Sequence, residues 1–179
     1  MNVVVWVVGE PGVGKTSVVK EFLGPLSSCR LYRSPKWTMG MALAAGHYTG
    51  GAFDGADTIP YNGVSAAIEV WKTILAPKYP LTFLDGDRFA YAGAIEMSPS
   101  SVRKFCVLLK AERSIAESRR QKRAASIGSE LQNATWVRGR RTKSERFVEL
   151  PVWEKTTTID VSRETPSDVA LAVRRILPR

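Results

Sequence analysis

Val3-Val4-Val5-Trp6-Val7-Val8 runs directly into Gly9-Glu10-Pro11-Gly12-Val13-Gly14-Lys15-Thr16. The first six residues are apolar without alternation, as expected of a strand buried on both faces in a parallel sheet. The next eight match G-x-x-x-x-G-K-[ST] in full, with a helix-forming stretch (residues 17–23) behind them that stops at Gly24-Pro25. In that context the glycines let successive backbone N–H groups turn toward phosphate oxygens, and the helix N-terminus adds partial positive charge. Gly9, Gly12, Val13, Gly14, Lys15, Thr16 and Ser17 are therefore the expected nucleotide-binding residues. Lys15 is expected on the β- and γ-phosphates, and Thr16 is expected to place its hydroxyl on Mg²⁺. ATP and Mg²⁺ are the expected ligands.

Outward from this loop the chain alternates between strand-like and helix-like stretches. Residues 29–33, 80–84, 102–109 and 157–161 read as further strands. Residues 64–75 read as a helix with Val64, Ala67, Ile68, Trp71 and Leu75 on one side. Two basic helical segments follow, at 111–126 and from Trp136 to Leu150. A last helix has Thr165 at its N-cap, Pro166 in its first turn and Asp168 three residues on, with Val169, Val173 and Ile176 as its buried stripe. This alternation predicts an α/β fold, a P-loop NTPase three-layer sandwich on a five-stranded parallel sheet. The whole of 1–179 reads as one domain, with 34–62 as an irregular acceptor-binding insertion and 111–148 as a basic helical lid region.

Asp85 closes the strand-like Leu81-Thr82-Phe83-Leu84, where an acid beside the magnesium is expected at the carboxyl end of a parallel strand. It is the expected metal acid or general base; Asp85-Gly86-Asp87 also has the composition of a plain turn. In the insertion, Tyr48, Phe53 and Tyr61 are candidates to stack on a base, and Asp54 and Asp57 to hydrogen-bond an acceptor, against the alternative that these aromatics fill the core. Trp136-Val137-Arg138-Gly139-Arg140-Arg141-Thr142-Lys143 brackets a glycine with cations and suits a mobile lid, in which Arg138, Arg140 and Arg141 would steady the transferring phosphoryl group. A solvated basic turn has the same composition.

The net charge of +9 is concentrated: residues 103–146 hold 13 Lys and Arg against 4 Asp and Glu, and the rest of the chain balances. Such a block is either a solvated helical face or a surface for polyphosphate or nucleic acid. Two cysteines in no metal-binding spacing and a single histidine argue against a zinc site or a disulfide framework. With no apolar run long enough to span a bilayer, no membrane partner is expected, and a reducing, cytoplasmic location is.

The P-loop, Asp85-Gly86-Asp87-Arg88, the basic lid and the closing segment 161–177 together resemble the nucleotide kinases, including thymidylate and adenylate kinases, over most of the chain. Asp87-Arg88-Phe89 resembles the DR-aromatic motif of thymidylate kinases, which implies acceptor binding by Arg88. The spacing around it departs from that family and its monophosphate-binding loop is not recognisable. Residues 48–57 and 139–143 are similar to a second group, the P-loop kinases of bacterial viruses that phosphorylate 5-hydroxymethyluracil already incorporated in DNA. That resemblance implies ATP as donor and DNA containing 5-hydroxymethyluracil as partner. The alternatives are a deoxynucleoside monophosphate kinase and a nucleic-acid-stimulated ATPase. Asn2, Asn62 and Asn133 are not followed by Lys-x-Asp, which disfavours a guanine-specific switch.

Overall fold

The computed structural model describes residues 2–48 and 54–178. Its sheet has seven strands, not five. They are β1 (Val3–Val8), β2 (Arg30–Arg33), β3 (Lys36–Met39), β4 (Leu43–Ala45), β5 (Leu81–Asp85), β6 (Arg103–Lys110) and β7 (Lys155–Asp160), in the order β2-β3-β4-β5-β1-β6-β7. The strands from β4 to β7 in this order are mutually parallel. β2 and β3 extend the sheet as an antiparallel meander. The strand expected at residues 29–33 is thus an outer, antiparallel one, and the fifth parallel strand is Leu43–Ala45, inside the stretch expected to be irregular. Three residues of Leu-Ala-Ala show no period from which a strand is legible; their hydrogen bonds to β5 and β3 define it.

The helices are α1 (Lys15–Leu23), α2 (Val64–Val70), α3 (Ala92–Met97), α4 (Arg113–Ile127), α5 (Ala134–Val148) and α6 (Pro166–Ile176). β1 is buried along its whole length, and its alternate side chains feed two cores. Val4, Trp6 and Val8 face α2, α3 and α5 through Ile68, Ile95 and Phe147. Val3, Val5 and Val7 face α1 and α6 through Val19, Phe22 and Val173. This is the expected three-layer arrangement. Each large apolar side chain taken from water contributes about 1.5–3 kcal/mol, so the central strand is the best-anchored element of the chain. Trp6 also donates its indole N–H to the Phe89 carbonyl at 3.0 Å, which satisfies its polar atom inside the core.

α2 is shorter than the pattern of residues 64–75 predicts and passes into a π-turn over Trp71–Leu75, which still buries Trp71 and Leu75. α3 has no sequence-level forecast. α5 holds the lid segment in a regular helix, in line with the helical segment expected from Trp136 to Leu150 and not with a solvated turn. Gly139 costs a helix roughly 1 kcal/mol, but the Asn133 side chain caps the amides of Thr135 and Trp136, and Val137, Ser144 and Phe147 are buried along one side. α6 begins with the forecast capping box between Thr165 and Asp168. No helix among the described residues is long and apolar enough to cross a membrane.

Candidate active site

The parallel register sets Asp85 beside Val7, two residues before the P-loop starts. The end of β5 therefore delivers its carboxylate to the first turn of α1. Thr16 donates its hydroxyl to Asp85 Oδ2 at 2.9 Å. The Tyr48 hydroxyl and the Ala56 amide donate to Oδ1 at 2.8 and 2.9 Å. Asp85 is only 2% exposed. Burial pushes its carboxyl above the ordinary range, against the pull of those three donors. Gly55 makes this packing feasible: at φ +84°, a Cβ there would lie 2.8 Å from Asp85 Oδ2 and 2.9 Å from Thr16 Oγ1.

Lys15 donates its ammonium to the carbonyls of Gly9 and Glu10 at 2.9 and 3.0 Å. Desolvation lowers its pKa, and the charges of Asp85, Asp57, Asp87 and Glu10 partly restore it. The Gly9 amide is bound by Ser144 of α5 at 3.2 Å. Gly12, at φ +92°, lies against α4, where a Cβ would meet the Ala116 carbonyl at 2.5 Å. Glu10, 5% exposed, pairs with Arg141 at 2.6 Å and lies 3.8 Å from Arg120. One carboxylate of the Gly9–Thr16 loop thus ties both basic helices to that turn.

A crevice of about 690 Å³ opens over Gly12, Lys15 and Thr16. Its far side carries Asp57, Tyr61, Arg88 and Arg140. Asp87 sits at its edge, bound by Arg140, by Lys143 at 2.7 Å and by the Tyr61 hydroxyl at 3.0 Å. Burial raises the Asp87 carboxyl, but these partners, Lys143 first, outweigh it and hold it below the ordinary range. Asp57 is exposed and stands 3.8 Å from Arg88 Nε. That Nε is buried with no hydrogen-bond acceptor among the described residues. A smaller cavity of about 250 Å³ adjoins Gly14 and Ser17, walled by Val13, Val18, Val161 and Arg119.

Among the sequence candidates, Gly9, Gly12, Gly14, Lys15, Thr16, Ser17, Asp57, Asp85, Arg88 and Arg140 line the crevice. Val13 borders the smaller cavity. Arg141 is reached only through Glu10. Arg138 lies on the outer side of α5, away from the crevice. Tyr48 is not a stacking surface; it is buried with its hydroxyl on Asp85, because its ring belongs to the α1-side core. Asp54 is likewise buried and pairs with Lys20 at 2.6 Å, so it does not line the crevice. Phe53 lies outside the described residues. Sequence reasoning missed Glu10, Gly55, Ser144 and Arg119. Glu10 occupies a position the P-loop pattern leaves free, and the other three act through contacts between distant segments.

Among the described residues no group of three or more His, Cys, Asp or Glu side chains converges on a metal position. Thr16 and Asp85 fit the sparse protein ligation of magnesium, which takes the rest of its shell from phosphate and water.

No protein-family model matches this chain, and no curated protein sequence matches it. Among solved structures, a sugar kinase from Janibacter sp. HTCC2649 aligns with 98% of this chain and 94% of its own, at 15% identity and a TM-score of 0.54. A gluconokinase from Sinorhizobium meliloti 1021 aligns with 95% of this chain and 87% of its own, at 14% identity and a TM-score of 0.45. At 15% identity the first alignment establishes the shared fold alone. The chain has a P-loop kinase-like fold.

Proposed function

We propose that this protein is an ATP-dependent phosphotransferase whose acceptor is the hydroxymethyl group of 5-hydroxymethyluracil in DNA. The contact that carries the transferase reading is the partly buried Asp85–Thr16 hydrogen bond at 2.9 Å beside Lys15, in the lining of an open crevice. Lys15 and the P-loop amides hold the triphosphate. Thr16 and Asp85 would hold magnesium, which would supply neutralisation of phosphate charge. The base of ATP occupies the smaller cavity, its faces against Val13, Val161 and Arg119.

Asp85 is committed to three donors, so it serves the metal side of the site. Asp57 is the exposed carboxylate within the crevice and is assigned to the acceptor. The acceptor hydroxyl gives its proton to Asp57 as its oxygen bonds to the γ-phosphorus, and the bond to the β–γ bridging oxygen breaks to release ADP. Arg140, at the crevice wall, faces the charge spread over the transferring group.

The basic helices support a DNA acceptor. Arg119 and Arg123 of α4 line the crevice with Arg140 of α5. Arg138 and Arg146 line a groove on α5 together with Lys143, whose ammonium is held by Asp87, and no acidic side chain is among the described residues that line it. The second reading is a free deoxynucleoside monophosphate, favoured by a crevice volume within the range of small-ligand sites.

The test is transfer of labelled γ-phosphate to duplex and single-stranded DNA containing 5-hydroxymethyluracil, beside the free nucleotides. Label in the polymer is expected. Label only in free nucleotides establishes the second reading, and release of phosphate without any labelled acceptor overturns both.

A further inference from the structure

We infer that Trp136 and Tyr61 form the subsite that receives the acceptor base, a planar ring slot at the mouth of the crevice. The inference rests on the phosphotransfer reading of this crevice and deepens it.

Three of the five tryptophans, Trp6, Trp37 and Trp71, are buried, and Trp153 packs on Trp6 and Phe147. Trp136 is 43% exposed and lines the crevice, although its helix offers a buried side. Tyr61, 60% exposed, lines the same crevice. Exposed aromatic rings that share one concave wall with cations are unlike scattered surface apolar groups, which carry no such arrangement.

Each ring is backed by a guanidinium. Arg140 lies 4.9 Å from the centre of Trp136, and Arg88 lies 3.7 Å from the centre of Tyr61. Both arginines are held from behind, Arg140 by Asp87 and Arg88 beside Asp57. Arg140 also approaches the Tyr61 hydroxyl at 3.4 Å, linking the two rings into one wall. One face of each ring is thus taken by a fixed cation, and the solvent-exposed remainder is presented to an entering ligand. The buried Arg88 Nε, without an acceptor among the described residues, adds an unused donor beside Tyr61. A buried donor left unsatisfied costs stability that a ligand acceptor removes. A pyrimidine ring provides both what the aromatic faces stack on and carbonyl oxygens for such a donor.

This assigns recognition of the base to stacking, which tolerates sequence, and leaves the hydroxymethyl group to Asp57. A base must leave the duplex stack to lie against this wall.

The experiment reads binding, so it stands apart from whether transfer occurs. A single-stranded oligonucleotide containing 5-hydroxymethyluracil, and the corresponding mononucleotide, are titrated into wild type, Trp136→Ala and Trp136→Phe, each with a non-hydrolysable ATP analogue bound. Tryptophan emission and affinity are both followed. The expected results are acceptor-induced quenching in wild type that disappears in both variants, and acceptor affinity weakened roughly tenfold or more in Trp136→Ala and largely restored in Trp136→Phe. Affinity for the ATP analogue alone stays within twofold of wild type in all three. Unchanged acceptor affinity in Trp136→Ala overturns the inference. So does equal weakening by alanine and phenylalanine, or a loss confined to the ATP analogue, which would give the ring to the donor. Binding of the mononucleotide but not the oligonucleotide, with the same dependence on Trp136, keeps the slot and overturns the DNA acceptor.

Discussion

Asp85 and Asp87 are two residues apart and respond to the fold in opposite directions. Asp85 is carried into the core at the end of β5, and its raised carboxyl pKa follows first from burial. The folded protein therefore holds the Asp85 proton more tightly than the unfolded chain. The contribution of this group to stability is present below the ordinary carboxylate value near ~4 and is lost as pH rises through the raised folded value. Its ionisation therefore opposes folding, and the acid is retained for its place beside Thr16. Asp87 is held low by Lys143, Tyr61 and Arg140 in spite of partial burial. Its contribution is present above the ordinary value and is lost as pH falls through the depressed one. Asp85→Asn should therefore melt higher than wild type at pH 7, with the gap closing toward pH ~4, while phosphotransfer falls roughly 10- to 100-fold. Asp87→Asn should melt lower at pH 7. Calorimetric scans across pH check both signs. An Asp85→Asn protein that melts lower at neutral pH would mean that its hydrogen bonds outweigh its desolvation.

At the scale of the element, α5 shows how one helix serves two surfaces. Positions 137, 144 and 147 are buried, and 140 and 141 reach the site. Positions 135, 138, 142 and 146, at helical spacing, face outward. The P-loop side and the basic side are thus fixed to one another by the helical repeat, with Ser144 on the Gly9 amide as the pin. α6 offers a separate check of local stability. The Thr165 hydroxyl accepts from the Asp168 amide, and the Asp168 carboxylate accepts from the Thr165 amide. Thr165→Ala removes this reciprocal cap and should cost about 1 kcal/mol, a fall in Tm of roughly 2–4 °C for a chain of this size. Pro166 and Val169 of α6 line the cavity assigned to the base of ATP, so the KM for ATP should rise while kcat holds.

Across the whole molecule, the excess charge lies on α4 and α5, the helices that flank the crevice, and not over the sheet as a whole. A DNA acceptor bound there releases counterions, and log affinity falls with log salt by about 0.9 per phosphate contacted on duplex DNA. Arg138→Gln with Arg146→Gln should reduce that slope by roughly 1.8 if both contact phosphate, and should leave affinity for ATP unchanged. A slope equal to wild type would remove the outer side of α5 from the DNA path. The binding isotherms at several salt concentrations, read beside nucleotide calorimetry, separate a lost phosphate contact from a damaged site.

The chain announces its fold and its glycine loop through local chemistry. An unbroken apolar run followed by a glycine loop, Lys15 and Thr16 specifies a buried strand, a tight anion-binding turn and a helix, because each depends on residues adjacent in sequence. The capping box at Thr165 and the acid at Asp85 are legible for the same reason. The short strand Leu43–Ala45, the burial of Tyr48 and Asp54 and the union of Glu10 with Arg120 and Arg141 were decided by the tertiary structure. Each of these depends on partners dozens of residues away, whose distance is set by sheet order and helix packing, and no periodicity within a short window encodes such a contact.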